Sequence, residues 1–153
     1  LEKPAHAKAI AGALAECIAP LAPQRIAAPA LGGVIIGYTV AEALGIPFIF
    51  TERKDGAMTL RRGFRVGTGQ SFVVVEDVVT TGKSTREAAD VIEQQGGVVE
   101  GFASILNRSG RANPFGVPYE SLLALNLETW EESACPLCRD GVPIDAPGSR
   151  FNR

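Results

Sequence analysis

Three cysteines, one histidine and a formal net charge of −2 are the scarcities that bound this 153-residue chain. Cys17, Cys135 and Cys138 are too few to build a disulfide framework, so a reducing, cytoplasmic setting is expected. The one histidine, His6, falls on the first predicted helix, where it is expected to be exposed. The near-neutral charge gives no overall attraction to nucleic acid or to an anionic membrane surface. No apolar run approaches the roughly 20 residues that span a bilayer. Internal repeats, low-complexity stretches, a helix-turn-helix pattern and signal-peptide or lipidation patterns are not legible in these residues. The opening Leu1-Glu2-Lys3-Pro4 reads as interior sequence, so an N-terminal segment is expected to precede it.

What remains is an ordinary folding composition, 46% apolar and 21% charged, long enough for one domain with a sizeable core. We expect a single domain over 1–153, with 130–153 as a C-terminal tail. Helix formers run from Ala5 to Ala19 and stop at Pro20 and Pro23. Arg25 to Ala28 reads as a short buried strand ending at Pro29. Gly32-Gly33 precedes a helix over Val34–Leu44, closed by Gly45 and Pro47. Phe48-Ile49-Phe50 is a strand, and Thr51 to Gly69 is a charged, Gly-rich loop or exposed hairpin of the kind that is usually functional. Ser71 to Val75 is a continuous β-branched and aromatic run, expected to be a central strand buried on both faces. A helix over Thr81–Gln95 and strands over Val98–Leu106 and Tyr119–Leu125 follow. This alternation predicts an α/β fold with a mostly parallel open sheet and right-handed crossovers.

The chemistry concentrates in Val73-Val74-Val75-Glu76-Asp77-Val78-Val79-Thr80-Thr81-Gly82-Lys83-Ser84-Thr85. A buried strand brings adjacent carboxylates to the carboxyl end of the sheet, the edge at which open α/β sheets bind ligands. A turn of hydroxyl residues and Gly82 then enters a helix, whose first N–H groups lack partners and carry the positive end of the dipole. Carboxylates beside a phosphate cradle repel the anion unless sugar hydroxyls or a bridging Mg2+ intervene. The segment therefore asks for a ligand with a phosphate and a diol, together with a metal, and a sugar phosphate meets the description of that ligand. A nucleotide P-loop would need glycine five residues before Gly82, and Asp77 stands there. The plainer alternative is a capped helix after a buried strand, with Thr80 or Thr81 as the cap and the carboxylates solvated.

This stretch resembles the phosphoribosyl pyrophosphate signature of type I phosphoribosyltransferases, and nearly the whole chain is similar to the orotate phosphoribosyltransferase branch. Ala28-Pro29-Ala30-Leu31-Gly32-Gly33, Arg53-Lys54, Asn107-Arg108, Cys135-Pro136-Leu137-Cys138-Arg139 and Pro147-Gly148-Ser149-Arg150 carry that likeness. The resemblance implies the type I phosphoribosyltransferase fold, with helices on both faces of the sheet and a flexible loop or hairpin. It implies a homodimer, Mg2+ as cofactor, and phosphoribosyl pyrophosphate and orotate as substrates. Glu76 and Asp77 would hold the ribose hydroxyls, and Thr80, Thr81, Gly82, Lys83 and Ser84 would cradle the 5-phosphate, with Val78 and Val79 in the same wall. Leu31, Gly32 and Gly33 would offer backbone N–H groups to the pyrophosphate, which Arg53 and Lys54 would neutralise. The resemblance allows Arg53 to serve a neighbouring subunit's site. Asp77, Arg53 and Lys54 would be the catalytic set. Thr80 and Arg108 would meet the base, the guanidinium gripping the orotate carboxylate in a two-pronged fork.

The chain departs from the family in three places. The mobile loop of many relatives carries a Lys and a His that close over the pyrophosphate; this loop has no His, leaving Arg61 or Arg62 as substitutes. Gly32 stands where many relatives have Lys. The N-terminal hood has no counterpart in these residues. Arg61, Arg62 and Arg65 read equally as anion contacts or as a solvated face. The Cys135–Cys138 spacing is half a tetrahedral zinc site and also that of a redox dithiol, and an ordinary tail is the expected reading. Two rivals remain: a purine phosphoribosyltransferase, and a non-catalytic regulator that senses phosphoribosyl pyrophosphate.

Overall fold

Proline in the first turn and an alanine-rich body start the chain as helix α1, Pro4–Ile18, in the computed structural model, which describes residues 1–128 and 130–143. The Pro147–Arg150 end of the tail lies outside those residues. Ala7, Ala11, Leu14, Ala15 and Ile18 recur at helical spacing and are the buried stripe of α1. A short 3-10 turn, Ala19–Leu21, leads into β1, Arg25–Pro29. Helix α2, Gly32–Leu44, ends at Gly45, whose left-handed φ of 68° lets its N–H reach the Ala41 and Glu42 carbonyls.

Strands β2, Phe48–Lys54, and β3, Ala57–Leu60, form an antiparallel hairpin. Its turn is Asp55-Gly56, both at positive φ (52° and 84°), the pairing that a two-residue hairpin favours. Then come β4, Ser71–Val79, α3, Lys83–Gln94, β5, Val98–Asn107, and β6, Tyr119–Ala124. After a 3-10 turn at Glu132–Ala134, a single helical turn, α4, spans Pro136–Arg139.

The six strands lie in the order β3-β2-β1-β4-β5-β6. All neighbours are parallel except β2 and β3. One face of the sheet packs Ile26, Val73, Val75 and Ala103 against α1 and α2. The other packs Ala27, Ile49, Phe72, Val74 and Phe102 against Ala88, Ala89 and Ile92 of α3. Phe72 through Val75 are fully buried, each contributing roughly 1.5–3 kcal/mol of transfer free energy. Alternate side chains serve opposite cores, which is why this run is apolar without interruption.

Several boundaries differ from expectation. Strand β4 continues four residues past Val75, because Glu76, Val78 and Val79 pair with Ser104, Leu106 and Asn107 of β5. The carboxylates are thus still on the strand. Strand β2 likewise runs on through Arg53 and Lys54, so these residues lie within the hairpin and not after the strand. Helix α2 begins at Gly32, and α3 begins at Lys83, with Gly82 as its left-handed N-terminal flank. The 51–69 segment is less open than its composition suggests. After the hairpin, Phe64 and Val66 pack against the α3-side core, and Gly69 N–H donates to the Gly96 carbonyl at 2.7 Å.

Candidate active site

Strand order reverses between β1 and β4: the chain leaves β1 through α2 towards β2, and leaves β4 through α3 towards β5 on the opposite side. Two neighbouring parallel strands whose connections part in this way leave a crevice at their carboxyl ends. A cleft of about 240 Å³ opens there, lined by Pro29, Ala30, Leu31 and Gly32 from the β1 end and by Glu76 through Thr85 from the β4 end. Residues separated by more than forty positions in sequence thus face one another.

On the β1 side the Ala30–Leu31 peptide is cis, and the Leu31 side chain is 86% exposed. The two glycines that follow are required by how closely β4 approaches. A Cβ at Gly32 would stand 2.7 Å from both Asp77 carboxylate oxygens. One at Gly33 would stand 2.9 Å from the Val75 carbonyl oxygen. Glycine at position 32 therefore has a local reason in this chain: it leaves room for Asp77.

On the β4 side Glu76 is buried and Asp77 half-buried. Asp77 N–H donates to Glu76 Oε1 at 3.2 Å, and Val78 N–H donates to Asp77 Oδ1 at 2.7 Å. Beyond them the chain turns at Gly82, with φ 73° and Phe115 packed so closely that a Cβ there would be 2.8 Å from its ring. Lys83 N–H donates to the Thr81 hydroxyl at 3.3 Å, but the N-cap of α3 is Gly82 and no side chain caps the helix, so neither Thr80 nor Thr81 is the expected cap. Thr80, Thr81, Lys83 and Ser84 form the cleft's rim together with buried Thr85.

Leu31, Gly32, Glu76, Asp77, Val78, Val79, Thr80, Thr81, Gly82, Lys83 and Ser84 therefore meet in one cleft. Gly33 lies directly behind it, against Glu76 Oε1. Arg53, Lys54 and Arg108 are not in its wall. Arg53 forms an ion pair with Glu87 of α3, and Glu87 also faces Lys83 at 3.9 Å, so the guanidinium is held over the helix that begins at the cleft. Arg108 is exposed, but its N–H donates to the Val79 carbonyl at 2.7 Å, which seats it beside the end of β4. His6 is exposed on α1.

Of the loop arginines, Arg61 and Arg62 reach the same carboxylate, Glu52, at 3.2 and 2.9 Å. The Arg62 hydrogen bond, ahead of the charges of Arg62 and Arg61, holds the Glu52 carboxyl below the ordinary glutamate range. A depressed folded-state value means this clamp contributes above the ordinary glutamate pKa and is lost as pH falls through the lowered one. An NMR titration should place the Glu52 midpoint below that of a free glutamate. Arg62→Gln should move it back further than Arg61→Gln, and an unmoved midpoint would dismiss the clamp.

Glu87 and Phe115 are contributors that motif reading passed over, whereas Pro29, Ala30 and Thr85 stood within the quoted motifs. Glu87 is four residues from Lys83 on one helix face and was legible as a pair. Phe115 lies on the β5–β6 connection, and nothing local marks it as the support of Gly82.

Among the described residues no three His, Cys, Asp or Glu side chains gather as a closed metal cage. Glu76 and Asp77 form a two-carboxylate set, which suits a Mg2+ ion that keeps water and substrate oxygens as its other ligands.

Comparison with known families matches residues 1–134 to the phosphoribosyl transferase domain. This chain belongs to that family. Among its relatives, an orotate phosphoribosyltransferase of Carboxydothermus hydrogenoformans is 51% identical over 80% of this chain and 64% of its own length. One from Thermus thermophilus is 44% identical over 95% of this chain and 80% of its own. The chain thus spans just under two thirds of the first of these phosphoribosyltransferases. In structure it is similar to an orotate phosphoribosyltransferase of Mycobacterium tuberculosis in complex with 5-phospho-alpha-D-ribosyl 1-diphosphate. The TM-score is 0.64 at 29% identity, covering 78% of this chain and 73% of that one. The six-stranded, mostly parallel sheet with helices on both faces is the type I phosphoribosyltransferase fold. Among the described residues no helix is long and apolar enough to cross a membrane.

Proposed function

We propose that this chain is an orotate phosphoribosyltransferase, acting in the cytoplasm on phosphoribosyl pyrophosphate and orotate to give orotidine 5-phosphate and pyrophosphate in pyrimidine synthesis. The observation that carries this is the juxtaposition of an acidic pair with a phosphate-sized turn at the β1/β4 switch point. The identity to orotate enzymes supports the choice of base, and three free cysteines suit a reducing compartment.

In this reading the backbone N–H groups at the Thr81–Ser84 turn and the surrounding hydroxyls bind the 5-phosphate. Glu76 and Asp77 accept hydrogen bonds from the two ribose hydroxyls. That holds the anomeric carbon near the amides of Leu31, Gly32 and Gly33, which meet the pyrophosphate. As the bond from the anomeric carbon to pyrophosphate breaks and the bond to the ring nitrogen forms, positive charge grows on the sugar and negative charge on the leaving group. Arg53 and Lys54 stabilise the latter, and Asp77 lies on the sugar's side. Most of the catalysis is positioning and electrostatic stabilisation by groups fixed in advance. A Mg2+ ion held through Glu76, Asp77 and substrate oxygens would supply further neutralisation of the leaving pyrophosphate. Segment 55–69 would exclude water from the donor.

An apolar recess lined by Leu1, Ile10, Ile35, Ile105 and Leu106 adjoins the cleft and shares Leu31, Gly32, Asp77 and Val78 with it. It is a suitable seat for a flat heterocycle. A second apolar recess, including Ile35, Tyr38, Phe48, Phe50 and Phe64, favours a homodimer, because Ile35 and Tyr38 are 55% and 60% exposed.

The test is an ultraviolet assay of orotate consumption with phosphoribosyl pyrophosphate and Mg2+, with purine bases in parallel. Turnover of orotate alone is expected, and turnover of a purine alone would overturn the assignment. Arg108→Ala should raise the KM for orotate by about 10- to 100-fold, the usual worth of a hydrogen-bonded charge pair. Donor binding should be nearly unchanged. If both fall together, Arg108 does not read the base.

A further inference from the structure

Away from the cleft, the chain carries a pair of thiols on one tight turn. Cys135 and Cys138 are both half-buried, while the residues around them are mostly exposed. The turn is closed by Arg139 N–H donating to the Cys135 carbonyl at 3.1 Å and Asp140 N–H donating to the Pro136 carbonyl at 3.0 Å. A single helical turn puts residues three apart within the roughly 4.4–6.8 Å Cα separation that a disulfide spans. Cys135 is the N-terminal flank of α4 and Cys138 is its third residue. Both face an open cavity of about 760 Å³, whose wall also includes Glu131, Glu132, Ser133 and Arg139.

The environments of the two sulfurs differ in a useful direction. The Cys138 N–H, ahead of the Cys138 thiol and the Leu137 N–H, holds the Cys135 thiol below its ordinary range. The neighbouring Cys135 sulfur, ahead of burial and the Glu132 charge, pushes the Cys138 thiol up. Arg139 faces Asp140 at 3.6 Å. One sulfur is disposed to be an attacking thiolate and the other to keep its proton until needed, the division of labour that disulfide exchange uses. Among the described residues no third ligand joins them, so within one chain they do not make a closed metal site.

We propose that Cys135 and Cys138 form a dithiol site that exchanges with small-molecule disulfides of the glutathione class, Cys135 attacking and Cys138 resolving. The Cys135 thiolate bonds to one sulfur of the incoming disulfide and expels the other as a thiolate. Cys138 then gives up its proton and bonds to Cys135 Sγ, expelling the second small thiol. Two protein thiols are oxidised to one disulfide while one small disulfide is reduced to two thiols, so electrons and atoms balance. The reverse reaction with excess reduced thiol regenerates the pair.

The test treats the intact chain with oxidised glutathione at neutral pH and maps each cysteine by mass spectrometry, with exposed Cys17 as the internal control. The native chain should lose two hydrogens at the Cys135–Cys138 peptide and carry no glutathione there, and reduced glutathione should reverse this. Cys138→Ser should accumulate one glutathione on Cys135, and Cys135→Ser should leave Cys138 reacting no faster than Cys17. Separate glutathione adducts on both cysteines of the native chain would overturn the proposal. So would an untouched pair while Cys17 is modified, or trapping on Cys138 but not on Cys135.

Discussion

Asp77→Asn is expected to lower kcat by about 10²- to 10³-fold, the usual scale for losing one preorganised electrostatic group at a reacting centre. The substitution is nearly isosteric. Asn keeps an oxygen to accept the Val78 N–H that Asp77 Oδ1 takes at 2.7 Å, so the strand end should hold its shape. What disappears is the negative charge beside the Gly32 backbone, where the sugar's developing positive charge is proposed to lie. Single-turnover rates should fall while the melting temperature moves by no more than a few degrees. Donor affinity separates the two roles of the carboxylate. A fall in kcat with little change in donor KM marks a charge effect specific to the transition state. An equal loss in donor affinity would mean Asp77 mainly holds the ribose, and an unchanged kcat would remove it from the catalytic set.

Gly33→Val should be the most damaging single change at the site for folding. Even its first carbon, the Cβ, would lie 2.9 Å from the Val75 carbonyl oxygen, 3.1 Å from Ala28 Cβ and 3.1 Å from Glu76 Oε1. Val75 and Ala28 belong to the two central strands, fully buried and paired on both sides, so the neighbours cannot give way cheaply. Overpacking of this kind typically costs about 1–3 kcal/mol. For a domain of this size that is a fall in melting temperature of roughly 2–4 °C per kcal/mol. The seam that widens is the cleft's own floor, so activity should drop further than stability alone explains. Gly12→Ala is the control: nothing lies within 4 Å of a Cβ there, in the middle of α1. Removing a helix-interior glycine should stabilise by about 0.5–1 kcal/mol. Thermal melts of the two variants, run beside the activity assay, check both. A Gly33→Val chain that melts with the native one would disprove the close approach of α2 to β4.

How much was legible beforehand depended on whether the signal was local. The strand Phe72–Val75 declared itself because four consecutive apolar, mostly β-branched residues suit only a doubly covered strand. The Thr80–Ser84 turn did so because glycine and hydroxyl residues between a strand and a helix suit an anion. Yet the same reading ended β4 at Val75 and β2 at Phe50, because charged residues interrupt the apolar pattern there. Backbone pairing with β5 and β3 carries those strands on, and hydrogen-bond ladders leave no mark on hydropathy. The Asp55-Gly56 turn was a readable hairpin signal inside a segment whose composition resembled loop.

Local order along the chain thus encodes the α/β alternation, the two adjacent carboxylates, the Gly82 turn and the glycines before α2, since each is written in neighbouring residues. The fold was needed to show that Gly32 makes room for Asp77 and that Phe115 backs Gly82. It alone paired Arg53 with Glu87, and joined Arg61 and Arg62 on Glu52. Those relations depend on strand order and on side chains that meet across the sheet edge, and no spacing along a chain encodes distances between parts that only folding brings together.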